Sequence, residues 1–108
     1  MATTYKVLGQ SNPSATTATT HTVPSATQAV VSTIVIANLT SSAATFRISV
    51  RPAGAAQTNA MYVAYDITVG ASDSTALTLG ITLGATDVIT VYASTANVSF
   101  NAYGSEIA

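Results

Sequence analysis

The chain contains no cysteine and no tryptophan, and among its 108 residues only three are basic and four acidic. Each shortage excludes something. Without cysteine there are no disulfides, thiolate nucleophiles or thiolate zinc ligands, so stability must come from packing and association. With no tryptophan and five tyrosines dispersed along the sequence, no ring-stacking carbohydrate platform is evident. The three cations, Lys6, Arg47 and Arg51, form no stripe and the formal net charge is −1, so nucleic acid is not an expected partner. The N-terminus, MATTYKVLGQ, lacks a basic stretch followed by a long apolar run, and no apolar run approaches the roughly 20 residues of a membrane span. A cytoplasmically made chain with no membrane partner is expected.

The same scarcity bears on catalysis. His21 is the only histidine, no Gly-x-Ser-x-Gly elbow occurs, and His21 reads as a surface or turn residue. The acids Asp66, Asp73, Asp87 and Glu106 are spread along the chain and form neither a dyad nor a calcium loop. Asp73 and Asp87 sit in turn settings, where a carboxylate accepts local backbone hydrogen bonds. Gly80 and Gly84 lie among apolar strand residues with no lysine after them, which argues against a phosphate loop. No catalytic, cofactor-binding or metal-ligating residue is assigned, and no enzyme activity is expected. The sequons 38-NLT-40 and 97-NVS-99 read as chance in a Ser/Thr-rich chain.

What the chain does have is Ser, Thr and short runs of Val, Ile and Leu, with 48% apolar residues and 6% aromatic. The run 30-VVSTIVIA-37 reads as a central strand, with Val30, Ile34 and Ile36 on one face and Val31, Thr33 and Val35 on the other. Residues 45–51 alternate Phe46, Ile48 and Val50 inward against Thr45, Arg47, Ser49 and Arg51 outward. Residues 61–69 set Met61, Val63, Tyr65, Ile67 and Val69 against Tyr62, Ala64, Asp66 and Thr68. Further strands are expected at 5–9, 75–84, 87–93 and 97–103. The length suits a single domain over 1–108: an all-β, antiparallel β-sandwich of about eight strands, immunoglobulin-like or jelly-roll-like, with a Ser/Thr/Ala-rich arm or loop at 10–20.

Within these strands stand three charges. Arg47 and Arg51 share a face roughly 13 Å apart at strand rise, too far for one bidentate ligand. Asp66 interrupts an apolar strand and is expected to pair with one of them. Together with Tyr62, these residues are the candidate interface: Arg47, Arg51, Tyr62 and Asp66. A small core and few charges also favour homo-oligomerisation, with a trimer expected.

Several segments together, 22-TVPSATQAVVSTIVIAN-38, 45-TFRISVRPAG-54, 62-YVAYD-66, 79-LGITLGATDVITVYAS-94 and 98-VSFNAYGSE-106, resemble small virion structural proteins of tailed bacteriophages, including those infecting cyanobacteria. Thr20 and His21 stand where similar proteins carry Leu-Tyr before the Thr-Val-Pro entry. The resemblance implies a capsid decoration or cement protein that bridges major capsid subunits. Its alternatives are a tail, neck, baseplate or fibre-attachment protein, or a receptor- or glycan-binding module. It implies a virion location and supplies no catalytic residues.

Overall fold

In the computed structural model, which describes residues 2–13 and 17–108, the chain forms eight strands. They are β1 (Thr3–Ser11), β2 (Thr17–Thr22), β3 (Gln28–Asn38), β4 (Ala44–Arg51), β5 (Tyr62–Val69), β6 (Ser74–Leu83), β7 (Val88–Ala93) and β8 (Val98–Ile107). Between β4 and β5 lie two single-turn 3-10 segments, Pro52–Gly54 and Asn59–Met61. The first sheet has the order β1-β8-β3-β6 and the second β2-β7-β4-β5, with every neighbouring pair antiparallel. Two four-stranded sheets exchanging strands in this order make a jelly roll, which decides between the two sandwich types the sequence leaves open.

Alternation builds the core. Ile34 and Ile36 of β3, Phe46 and Ile48 of β4, Ile89 and Val91 of β7 and Phe100 of β8 are all fully buried between the sheets. Removing each of these larger side chains from water contributes about 1.5–3 kcal/mol. Phe46 and Phe100 meet across the sandwich edge to face, with ring centroids 6.1 Å apart, tying the middle of one sheet to the middle of the other.

Breaks in alternation are concentrated at one level of the first sheet. The register slips between Val7 and Gly9 in β1 and between Val31 and Thr33 in β3, with a matching jump from Ile81 to Thr78 in β6. Each slip lies beside Tyr103 and Gly104 of β8 or one strand further out. A line of bulges therefore crosses the sheet and kinks it, since each added residue bends and twists its strand. At this line a Cβ on Gly104 would overlap the Val30 carbonyl oxygen. Likewise, a Cβ on Gly9 would overlap the Thr20 carbonyl oxygen where β1 passes β2.

These bulges correct several expectations. In β3 the extra residue, Ser32, changes which side chains face inward. Ala29 and Val31 are buried on one side of it and Ile34 and Ile36 on the other, while Val30 and Val35 face outward. In β5 the simple alternation fails because Phe46 pairs with Ile67 but Ile48 pairs with Ala64. The extra residue lies around Asp66, whose φ is +51°, and Val63, Tyr65 and Ile67 are left exposed. The arm or loop expected at 10–20 is mostly strand. Gln10 and Ser11 finish β1 and Thr17 to Thr20 open β2, while 14–16 lie outside the described residues. Thr-rich β2 has too little apolar content to signal itself, yet β-branched Thr suits an edge strand. The last strand also runs past 103 to Ile107, carrying Glu106 into the sheet.

Candidate functional site

The strand pairing sorts the surface into two unlike faces. On the outside of the first sheet, directly opposed residues form the rows Tyr5, Ser105, Val30, Thr82; Val7, Tyr103, Thr33, Thr78; and Gln10, Asn101, Val35, Ala76. Thr3, Ile107 and Gln28 extend the face at one end, and Ser99, Ala37 and Ser74 at the other. None of the residues in these rows is charged, although Lys6, whose side chain is 44% exposed on edge strand β1, borders the face. Tyr5 is 84% exposed, and Val7 and Tyr103 are exposed beside it around a shallow groove that Lys6, Val30, Ser32, Gly104 and Ser105 complete.

The second sheet gathers the candidate residues on its outer face. Arg47 of β4 lies opposite Tyr92 of β7, and the β5 bulge brings Tyr65 and Asp66 to its other side. Arg47 donates from Nε to Asp66 Oδ1 at 2.6 Å and from Nη2 to Oδ2 at 3.3 Å. Its guanidinium carbon sits 4.2 Å from the Tyr65 ring centroid and 4.8 Å from that of Tyr92. These are cation–π distances. Tyr62 meets Tyr65 edge to face at 4.8 Å. The hydrogen bond from Arg47 holds the Asp66 carboxyl below its ordinary range, and the carboxylate raises the guanidinium in turn. Arg47, Tyr62 and Asp66 thus form one cluster, and the pairing expected of Asp66 is with Arg47.

Arg51 is separate. It donates from Nε to the Ala55 carbonyl at 2.8 Å and from Nη2 to the Gly54 carbonyl at 3.0 Å. Ser49 donates to Gln57 Oε1 at 2.6 Å. These bonds hold the β4–β5 connection over the sheet, which is why Ser49 and Thr90 are buried on a face directed outward. Asp73 accepts from the Ser74 amide and Asp87 from the Gly84 amide, the turn roles expected of them.

A second cluster escaped the sequence reading. His21 belongs to β2 rather than to a turn, and beyond the Thr20 bulge it pairs with Ile89, which is fully buried. Its side chain is 9% exposed, so it is not a surface residue either, and Nε2 lies 3.2 Å from Glu106 Oε2 of β8. The other Glu106 oxygen takes Lys6 Nζ of β1 at 2.7 Å. His21 Nε2 and Glu106 Oε2 make no aligned hydrogen bond, so the firm partner of Glu106 is Lys6. That bond is the leading cause of its lowered pKa, with burial opposing it. This cluster joins three strands across the two sheets. No hydroxyl is hydrogen-bonded to the His21 ring among the described residues, and no group of three or more His, Asp and Glu there could hold a metal. The missed signal was parity: Lys6 and Glu106 alternate with outward Tyr5 and Ser105, and so point inward.

No protein-family model matches the chain, and no curated protein matches it. Among solved structures, a chain in the structure of infectious bursal disease virus, Gx strain, is similar at a TM-score of 0.57 and 12% identity. The match covers 97% of this chain and 32% of that chain, so this chain spans about a third of its length. What the likeness shows is the jelly-roll fold.

Proposed function

We propose that this protein is a non-enzymatic structural component of a virion, a capsid decoration or cement protein of tailed-phage type that bridges major capsid subunits as a homo-oligomer. The observation that carries this reading is the charge-poor outer face of the first sheet, where the bordering Lys6 is already paired with Glu106. Apposing two surfaces strips water from both, and a face of mostly Tyr, Val, Thr and Ser keeps the cost of desolvating charge small. The likeness to a viral chain supports the fold on which the reading rests.

The edges favour contact by faces. Strands β1, β2, β5 and β6 end the sheets, and the register slips along every one of them. Bulged edges are poor templates for a further strand. Of the candidate interface residues, Arg47 and Asp66 pair with each other, and Arg51 is tied to the Ala55 and Gly54 carbonyls. The proposed contact therefore moves from the second sheet to Tyr5, Val7 and Tyr103 of the first.

Quantitative mass spectrometry of purified particles tests this role. A cement protein that repeats at the seams between capsid subunits is expected at on the order of hundreds of copies per particle, since it follows the symmetry of the shell. Tens of copies or fewer would reject it in favour of a tail, neck or baseplate position.

A further inference from the structure

The tyrosines that the sequence disperses meet on the second sheet. Tyr62 and Tyr65 stand with their ring planes at 81°, forming a right-angled aromatic corner. Asn59, in the turn entering β5, closes a shallow open depression with these two rings. Tyr65 is 55% exposed. One residue further on, Asp66 has a side chain 44% exposed and is paired with Arg47. Arg47 Nη1 has no protein hydrogen-bond partner among the described residues.

The corner offers ring surface, an amide with both a donor and an acceptor, a carboxylate with free lone pairs and a guanidinium with free N–H groups. Its net charge is zero. A free anion would meet the Asp66 carboxylate, and a cation would compete with Arg47 for the same rings. A proline-rich peptide could stack on the tyrosines, but its prolines have no N–H to offer the lone pairs of Asp66 that Arg47 leaves free. A purely apolar ligand would leave Asn59 and Asp66 without partners. The chemistry that fits throughout is a ring with C–H groups on its face and hydroxyls at its edge.

We propose that the Asn59–Tyr62–Tyr65 corner, with Arg47 and Asp66 beside it, binds one residue of a neutral carbohydrate. The sugar's C–H face lies in the corner on the Tyr65 ring surface that Arg47 leaves uncovered, and its hydroxyls bond Asn59 and Asp66. The site lies on the opposite side of the sandwich from the proposed assembly face, so both can be occupied at once.

Saturation-transfer NMR on the isolated protein tests the site. The probes are methyl glycosides of glucose, galactose, mannose and N-acetylglucosamine and their disaccharides at millimolar concentration, with a proline-rich decapeptide and methyl glucuronide for comparison. The expected result is transfer to the ring C–H protons of a neutral glycoside, weakened about tenfold or more in affinity by Tyr65→Ala. Asn59→Ala weakens it as well, while Tyr65→Phe, which keeps the ring, and Tyr103→Ala, on the opposite face, leave it intact. Absence of transfer to every neutral glycoside overturns the proposal, as does binding that survives Tyr65→Ala in a folded protein or is confined to the peptide or the glucuronide. Because this measurement uses isolated protein and the copy count uses particles, either proposal can fail without the other.

Discussion

Asn38 ends β3 and holds two turns at once. Its amide nitrogen donates to the Ser42 carbonyl at 2.8 Å, with the Gly70 and Val69 carbonyls at 3.1 and 3.3 Å sharing the remaining hydrogen. Its oxygen accepts from the Thr40 amide and hydroxyl. Buried and bonded on both sides, the first sequon asparagine has no amide free for modification in the folded chain. Glu106 acts at the same scale through charge. Its pKa is lowered chiefly by Lys6 and its side chain is only 11% exposed, so its contribution survives solvent screening better than that of the exposed Arg47–Asp66 pair. A carboxylate lowered on folding stabilises above its unfolded pKa, and that stability is lost as pH falls through the folded value. Thermal unfolding followed by circular dichroism should show wild type more stable than Glu106→Gln at pH 7. The gap should narrow as pH falls below the ordinary glutamate range, as the folded-state carboxylate takes up its proton. A gap independent of pH would mean that the carboxylate charge contributes nothing.

At the scale of elements, the line of bulges makes β8 the spine of the first sheet, and Gly104 is where β3 comes closest to it. Gly104→Ala forces a Cβ against the Val30 carbonyl and should cost about 2–3 kcal/mol in urea unfolding. Gly80, at φ +61° in the β6 bulge, has open space around its missing Cβ, and Gly80→Ala should cost only about 1 kcal/mol. Equal losses would contradict this account of the kink. Legibility followed the same features. Strand β4 was readable because Phe46, Ile48 and Val50 keep strict alternation with polar residues. The reading of β3 erred in one direction only: Val31 and Ile34, three apart and both buried, require an odd residue between them, and Ser-Thr at 32–33 was its trace. In β5, Asp66 among apolar residues marked the bulge and was read only as a charge seeking a partner. The tyrosine corner was not legible, because Tyr62 and Tyr65 have opposite parity until a second slip in β5, between the Ile48–Ala64 and Ser49–Tyr62 pairs, brings them to one side. Strand β2 was hidden by composition, and with it the placement of His21 beside Glu106.

At the scale of the whole molecule, the few charges are distributed by face. Lys6 and Glu106 turn inward, Asp73 and Asp87 serve turns, and Arg47, Arg51 and Asp66 lie on the second sheet. What remains is a charge-poor first-sheet face presenting Tyr5, Val7 and Tyr103, and a second face on which Arg47 pairs with Asp66 and Arg51 is held by backbone carbonyls, leaving one net positive charge. The proposed assembly covers the first face and leaves the second open. Tyrosine nitration with mass-spectrometric readout, comparing free protein with purified particles, measures this directly. Assembly is predicted to protect Tyr5 and Tyr103 while Tyr65 reacts as it does in the free protein; protection of Tyr65 with Tyr5 and Tyr103 still reactive would contradict the claim.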